Sequence, residues 1–132
     1  MTIIENAVTL NKPIEEVYAF LADCANHGQL MPESVQDWSA TRDEASFSIA
    51  NMGRLALKVS RREENSKVVI VPAEKAPFDV NIHWSVAADG NNSTRATLRI
   101  EAKLNMMMKM LAEKPLQKLV DAQVVKLKDI LG

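Results

Sequence analysis

The segment "TRATLRIEAKLNMMMKMLAEKPLQKLVDAQVVKLKDIL" (residues 94–131) changes period partway along. Up to Leu104 it alternates: Ala96, Leu98, Ile100, Ala102 and Leu104 share one face, and Arg95, Thr97, Arg99, Glu101 and Lys103 share the other. That is the pattern of a half-buried strand. Beyond Leu104 the spacing is helical, with Leu116, Val120, Gln123 or Val124, Leu127 and Leu131 on one stripe and Gly132 at the end. A sheet with one dry face needs a cover, and this long helix is the only element large enough to supply it.

Upstream, the same alternation recurs. Phe78, Val80, Ile82, Trp84 and Val86 oppose Asp79, Asn81, His83 and Ser85, and Leu55, Leu57 and Val59 oppose Ala56, Lys58 and Ser60. From Val35 to Leu104 the chain reads as six strands: "VQDWSATR", "ASFSIAN", "RLALKVSRRE", "SKVVIVPAE", "FDVNIHWSVAA" and "STRATLRIEAKL". Turn residues at Asp43-Glu44, Met52-Gly53, Glu64-Asn65, Ala76-Pro77 and Asp89-Gly90 separate them. Such short connections favour antiparallel neighbours. Before them, "IIENAVTL" (3–10) reads as a strand. An amphipathic helix follows, with Pro13 in its first turn and Ile14, Val17, Tyr18 and Leu21 at helical spacing. "ANHGQLMPE" then reads as a second short helix ending before Pro32. The expected fold is α+β: one domain over 1–132, a curved antiparallel sheet of about seven strands wrapped on the long C-terminal helix, with two short helices after strand one.

This order resembles the START-like, or Bet v 1-like (SRPBCC), helix-grip superfamily, which includes polyketide cyclase/dehydrase and lipid-transport proteins. The residues that carry the likeness are "ENAVTLNKPIEEVYAFLADCANHGQLMPE" (5–33), the Trp84 strand, the last strand "TRATLRIEA" and the terminal helix. The resemblance spans Ile3 to Leu131. It implies a cavity between sheet and long helix that often holds a hydrophobic molecule, in a group where some members are enzymes and many are binding or accessory proteins.

Composition narrows the classes. Sixteen basic and seventeen acidic residues are mixed along the chain, for a formal net charge of −1, so there is neither a nucleic-acid footprint nor a polybasic membrane patch. No apolar run nears the ~18 residues of a membrane span, so stable membrane insertion is not expected. The N-terminus has no basic signal-peptide region, and Cys24, the single cysteine, fits a reducing compartment; the cytoplasm is the expected location.

Met106, Met107, Met108 and Met110 span more than half of a helical turn, so they cannot all face inward. They read either as flexible core filler or as an adaptable wall around an apolar ligand. Pro115 costs ~3 kcal/mol inside a helix, which predicts a kink or break near residues 112–114 and a separate methionine segment.

Catalytic chemistry finds little support. Asp23, Cys24 and His27 could sketch a nucleophile with its base. The plainer reading makes Cys24 a small buried hydrophobe and His27 a surface or capping residue, and it sets His83 on the outer sheet face. One cysteine and two distant histidines do not make a zinc site, and the four glycines form no phosphate loop; no catalytic residue, metal or cofactor is expected.

The residues expected to line a ligand cavity are Met31, Trp38, Phe47, Ile49, Leu57, Phe78, Ile82, Trp84, Leu98, Ile100, Met107, Met110 and Leu111. Asn51 and Arg61, each in phase with an apolar strand face, are candidates for polar groups at its rim. Three readings stay open. The first is binding of a small hydrophobic or amphipathic molecule (lipid, polyketide or isoprenoid-like). The second is a structural or partner-interaction module with a filled core, where the doubly apolar "KVVIVPA" strand raises the expectation of a homodimer by pairing or packing with another copy. The third is a cyclase/dehydrase-type enzyme on a polyketide-like substrate.

Overall fold

A computed structural model describes residues 1–49, 53–76 and 78–132; the expected turn residues Met52 and Pro77 and the rim candidate Asn51 lie outside this set. The strands are β1 (Thr2–Leu10), β2 (Val35–Ala40), β3 (Glu44–Ile49), β4 (Gly53–Glu63), β5 (Lys67–Pro72), β6 (Asp79–Ala88) and β7 (Thr94–Lys103). Between β1 and β2 lie α1 (Ile14–Leu21) and a 3-10 helix (Cys24–Leu30), and α2 (Met106–Leu131) follows β7. Element order and type match the reading of the sequence.

The strands form one antiparallel sheet in the order β1-β7-β6-β5-β4-β3-β2. Strand one therefore sits at one edge and strand two at the other, and α1 with the 3-10 helix makes the crossing. Local chemistry fixes that crossing. Pro13 caps α1 in an extended conformation, its carbonyl accepting from the Glu16 and Val17 amides. Asp23 Oδ1 accepts from the Ala25 amide at 3.0 Å to start the 3-10 helix, which ends at an extended Met31 ahead of Pro32.

Alternation placed the core correctly. Val80, Trp84, Val86, Ala96, Leu98, Ile100 and Ala102 are buried on the inner face, against Leu116, Leu119, Val120, Val124 and Leu127 of α2. His83 lies on the outer face, its Nε2 3.5 Å from Glu101.

Three expectations need correction. The helix does not break at Pro115: α2 runs unbroken from Met106 to Leu131. Leu111 and Pro115 are both exposed, so the carbonyl deprived of its amide partner opens to water instead of being stranded in the core. Arg61 does not hold the apolar phase of Leu57 and Val59. A β-bulge shifts register between Val59 and Arg61, and Arg61 turns outward to pair with Glu63. Arg62 takes the half-buried position instead, donating to the Ala22 and Arg42 carbonyls at 2.9 Å each and pairing with Asp43 at 2.8 Å. Finally, β5 offers no edge for strand pairing with another copy, because it is an interior strand paired with β4 and β6. The free edges are β1 and β2, and β2 is blunted by an irregularity between Gln36 and Ser39, with Asp37 at φ 55°.

Candidate functional site

Between the sheet and α2 lies a mostly apolar cavity of about 40 Å³. The sheet contributes Trp38, Ala45, Phe47, Leu57, Ile70, Ile82, Trp84 and Ile100, the 3-10 helix and its end contribute Cys24, His27 and Met31, and α2 contributes Leu119 and Gln123. That volume holds roughly one water, whereas pockets for drug-sized ligands are about 300–1,000 Å³. A larger guest must therefore displace side chains. Two are suited to move: Met31 is half-buried and unbranched, and Trp38 is half-buried and stacks on Phe47 with ring centroids 5.5 Å apart. The indole of Trp38 also lies against the backbone of Gly28, where a β-carbon would stand 2.5 Å from its Nε1.

Two polar side chains sit in this apolar wall. His27 is 4% exposed and Gln123 6%. His27 Nε2 lies 2.7 Å from the Leu21 carbonyl oxygen, which can only accept, so Nε2 carries the proton. Burial lowers the pKa of His27 below its ordinary value, outweighing the Leu21 hydrogen bond and the Asp23 charge that oppose it. The ring is thus neutral and its Nδ1 is an acceptor. Gln123 presents its side-chain amide to the same wall. Burial pushes the Cys24 thiol up to about 11, with the Arg62 charge only partly offsetting it, so near neutral pH the sulfur is neither a thiolate nucleophile nor a ready metal ligand. What this wall offers is hydrogen bonding inside an apolar shell.

Of the residues expected at the cavity, Met31, Trp38, Phe47, Leu57, Ile82, Trp84 and Ile100 are brought together around it. Leu98 is buried elsewhere in the core; Ile49 lines a neighbouring groove and Phe78 a groove with Leu104 and Met108. Met107, Met110 and Leu111 stand 71–80% exposed on α2, outside the cavity lining, and Arg61, exposed on β4, is outside it too. A helix buried along one stripe exposes the rest, and these three fall on the exposed side.

His27 is the clearest omission, since it reads from sequence as a surface or capping residue. The buried members of its helix are Cys24, His27 and Leu30, three apart. A 3-10 helix repeats every three residues, so that period, rather than 3.6, would have put His27 inside. Leu119 and Gln123 are four apart on α2, and extending the Leu116 stripe by three residues would have reached Leu119. His83 faces Glu101 on the outer side of the sheet, away from the cavity.

Comparison with solved structures places the fold. The chain is similar to a START superfamily protein from Mycobacterium smegmatis, with a TM-score of 0.68, 17% identity, and coverage of 97% of this chain and 98% of that one. It is similar to the Aha1 dimer from Colwellia psychrerythraea, with a TM-score of 0.71, 15% identity, and coverage of 99% and 96%. It also matches the di-domain ARO/CYC protein BexL of the BE-7585A biosynthetic pathway, with a TM-score of 0.73 and 13% identity, over 98% of this chain but 46% of that one. At these identities the likeness is one of fold. No curated protein gives a significant match. Residues 10–124 match the family described as polyketide cyclase / dehydrase and lipid transport. The match runs from the last residue of β1 to Val124 of α2, most of the chain, and the chain belongs to that family.

Proposed function

We propose that this protein binds a small hydrophobic molecule carrying a hydrogen-bonding oxygen, in the cavity between the sheet and α2. The observation that supports this is the pairing of two buried polar side chains, His27 and Gln123, with an otherwise apolar wall. A ligand hydroxyl or carbonyl that hydrogen-bonds to the Gln123 amide or to His27 adds about 1 kcal/mol net inside the apolar shell. Binding draws on water displaced from Trp84, Ile82 and Phe47 and on dispersion contacts with them. The polar pair then chooses among guests of equal size, and the neutral His27 accepts a hydrogen bond without carrying charge into the core. Family membership supports the same reading, because it places the chain among polyketide cyclase and lipid-transport proteins.

Phenol and toluene, matched in shape, test it by isothermal titration calorimetry. One net hydrogen bond of about 1 kcal/mol gives phenol roughly a five-fold advantage. Gln123→Leu removes the amide while keeping its bulk, and the advantage falls or reverses. Equal affinities in both proteins, or no binding of either compound, would sink the proposal.

A further inference from the structure

Met107, Leu111, Pro115 and Leu119 follow one another at four-residue intervals along α2. Each such step advances about 40° around a helix, so the four form an apolar ridge that winds through roughly 120°. Its exposure changes along the way. Met107 and Leu111 are open to solvent, at 72% and 71%, while Leu119 is 7% exposed. Between them Pro115 walls a groove of about 260 Å³, shared with Ser34 and Ile49. Leu119 lines both this groove and the inner cavity, and among the described residues no other side chain does so. The ridge therefore leads from water to the cavity wall, with Leu119 as the partition.

The groove is not wholly apolar. Lys114 and Lys118, one turn apart, are both exposed and both line it. Like charges at this spacing repel. Among the described residues neither lysine makes an ion pair, and the neighbouring carboxylate of Glu113 faces Lys109 at 3.7 Å. Two unpaired ammonium groups beside an apolar slot complement one anionic head joined to an apolar chain.

From this we infer that the groove is the mouth and head-group site of the cavity, and that the ligand enters as a single-chain anionic amphiphile of the carboxylate type. Its head meets Lys114 and Lys118, and its chain passes Leu119 into the space lined by Trp84. This rests on the binding reading above and adds the charge of the ligand and its route. A single chain is specified because one leucine separates groove from cavity and the cavity beyond it is small.

Decanoate, decanol and decyltrimethylammonium share a chain and differ in the head. Titrated calorimetrically, with Trp84 and Trp38 emission as a second readout, decanoate is expected to bind about five-fold more tightly than decanol, as two partly screened contacts with exposed lysines allow, and the cationic amphiphile most weakly. That advantage shrinks with added salt and disappears in the surface double variant K114Q/K118Q. Leu119→Trp, which thickens the partition, weakens decanoate and decanol together. Equal binding of the three amphiphiles, or a decanoate affinity indifferent to K114Q/K118Q, overturns the inference while phenol binding keeps the cavity reading intact. Binding to phosphatidylglycerol vesicles with no response to decanoate overturns it too, in favour of a membrane surface. If phenol also fails to bind, the cavity reading falls and the inference with it.

Discussion

The two halves of α2 are similar in composition and opposite in fate. From Met106 to Pro115 the helix carries four methionines, a leucine and an alanine, yet only Ala112 is buried. From Leu116 to Leu131 it buries Leu116, Leu119, Val120, Gln123, Val124 and Leu127. The second half even encloses a polar glutamine while the first leaves methionines in water. Apolar content therefore does not decide burial; the surface opposite does. Beyond Pro115 the helix is tied to the edge strand, with Asn6 donating to Asp121 at 3.0 Å and Lys128 donating to the Thr9 carbonyl at 3.0 Å.

The sharpest way to break this comparison is to shorten one side chain in each half. Leu127 is fully buried, and Leu127→Ala should cost about 2–5 kcal/mol in urea unfolding. Met107→Ala should stay within about 0.5 kcal/mol of the parent protein. A large, concentration-dependent loss at Met107 would mean that the exposed half is covered by another molecule in solution.

The buried half also packs against the 3-10 helix that holds His27. Folding holds this imidazole neutral, with its pKa below the ordinary value near 6.5, chiefly by burial. Below pH 6.5 the unfolded chain takes up a proton that the native chain refuses. Stability from this group is therefore complete above pH 6.5 and is lost as pH falls toward the native pKa. The slope is up to about 1.4 kcal/mol per pH unit. His27→Gln keeps a donor for the Leu21 carbonyl but does not titrate, so its stability profile should be flatter across this window. Matching slopes in the two proteins would show that His27 is hydrated and that the buried half of α2 does not seal it.

The sheet and its cover were legible because alternation is a strong signal: strands 78–86 and 94–104 keep one phase throughout. The cavity was legible only where it draws on those strands, at Phe47, Leu57, Ile82, Trp84 and Ile100, and on the flanking Met31 and Trp38. It was lost where phase slips or period changes. The bulge at Ser60 moved the inward position from Arg61 to Arg62, and no turn residue marks it. The 3-10 repeat hid His27. The methionine segment misled for a different reason. Its composition suits a cavity wall, but which turns of a helix overlie a sheet depends on where the helix is laid down, and composition does not carry that.

The smallest expected effect concerns what holds the exposed half helical when only Met108 and Ala112 reach the core. Asn105 caps it, its Oδ1 accepting from the Met108 amide at 2.8 Å. The one ion pair within this half, Lys109 with Glu113, is exposed and is worth only about 0.3–0.5 kcal/mol. A ten-residue helical stretch is marginal without tertiary support, so the cap and the continuous junction with residue 116 onward share the task. Asn105→Ala should therefore cost about 1 kcal/mol, and only locally. Amide exchange from residue 108 to 113 should quicken by about five-fold, while protection near Val120 and Val124 and the midpoint of global unfolding barely change. Equally slow exchange in both halves of the parent protein would contradict the contrast at its root, because it would show one cooperative helix whose exposed turns are as firmly held as its buried ones.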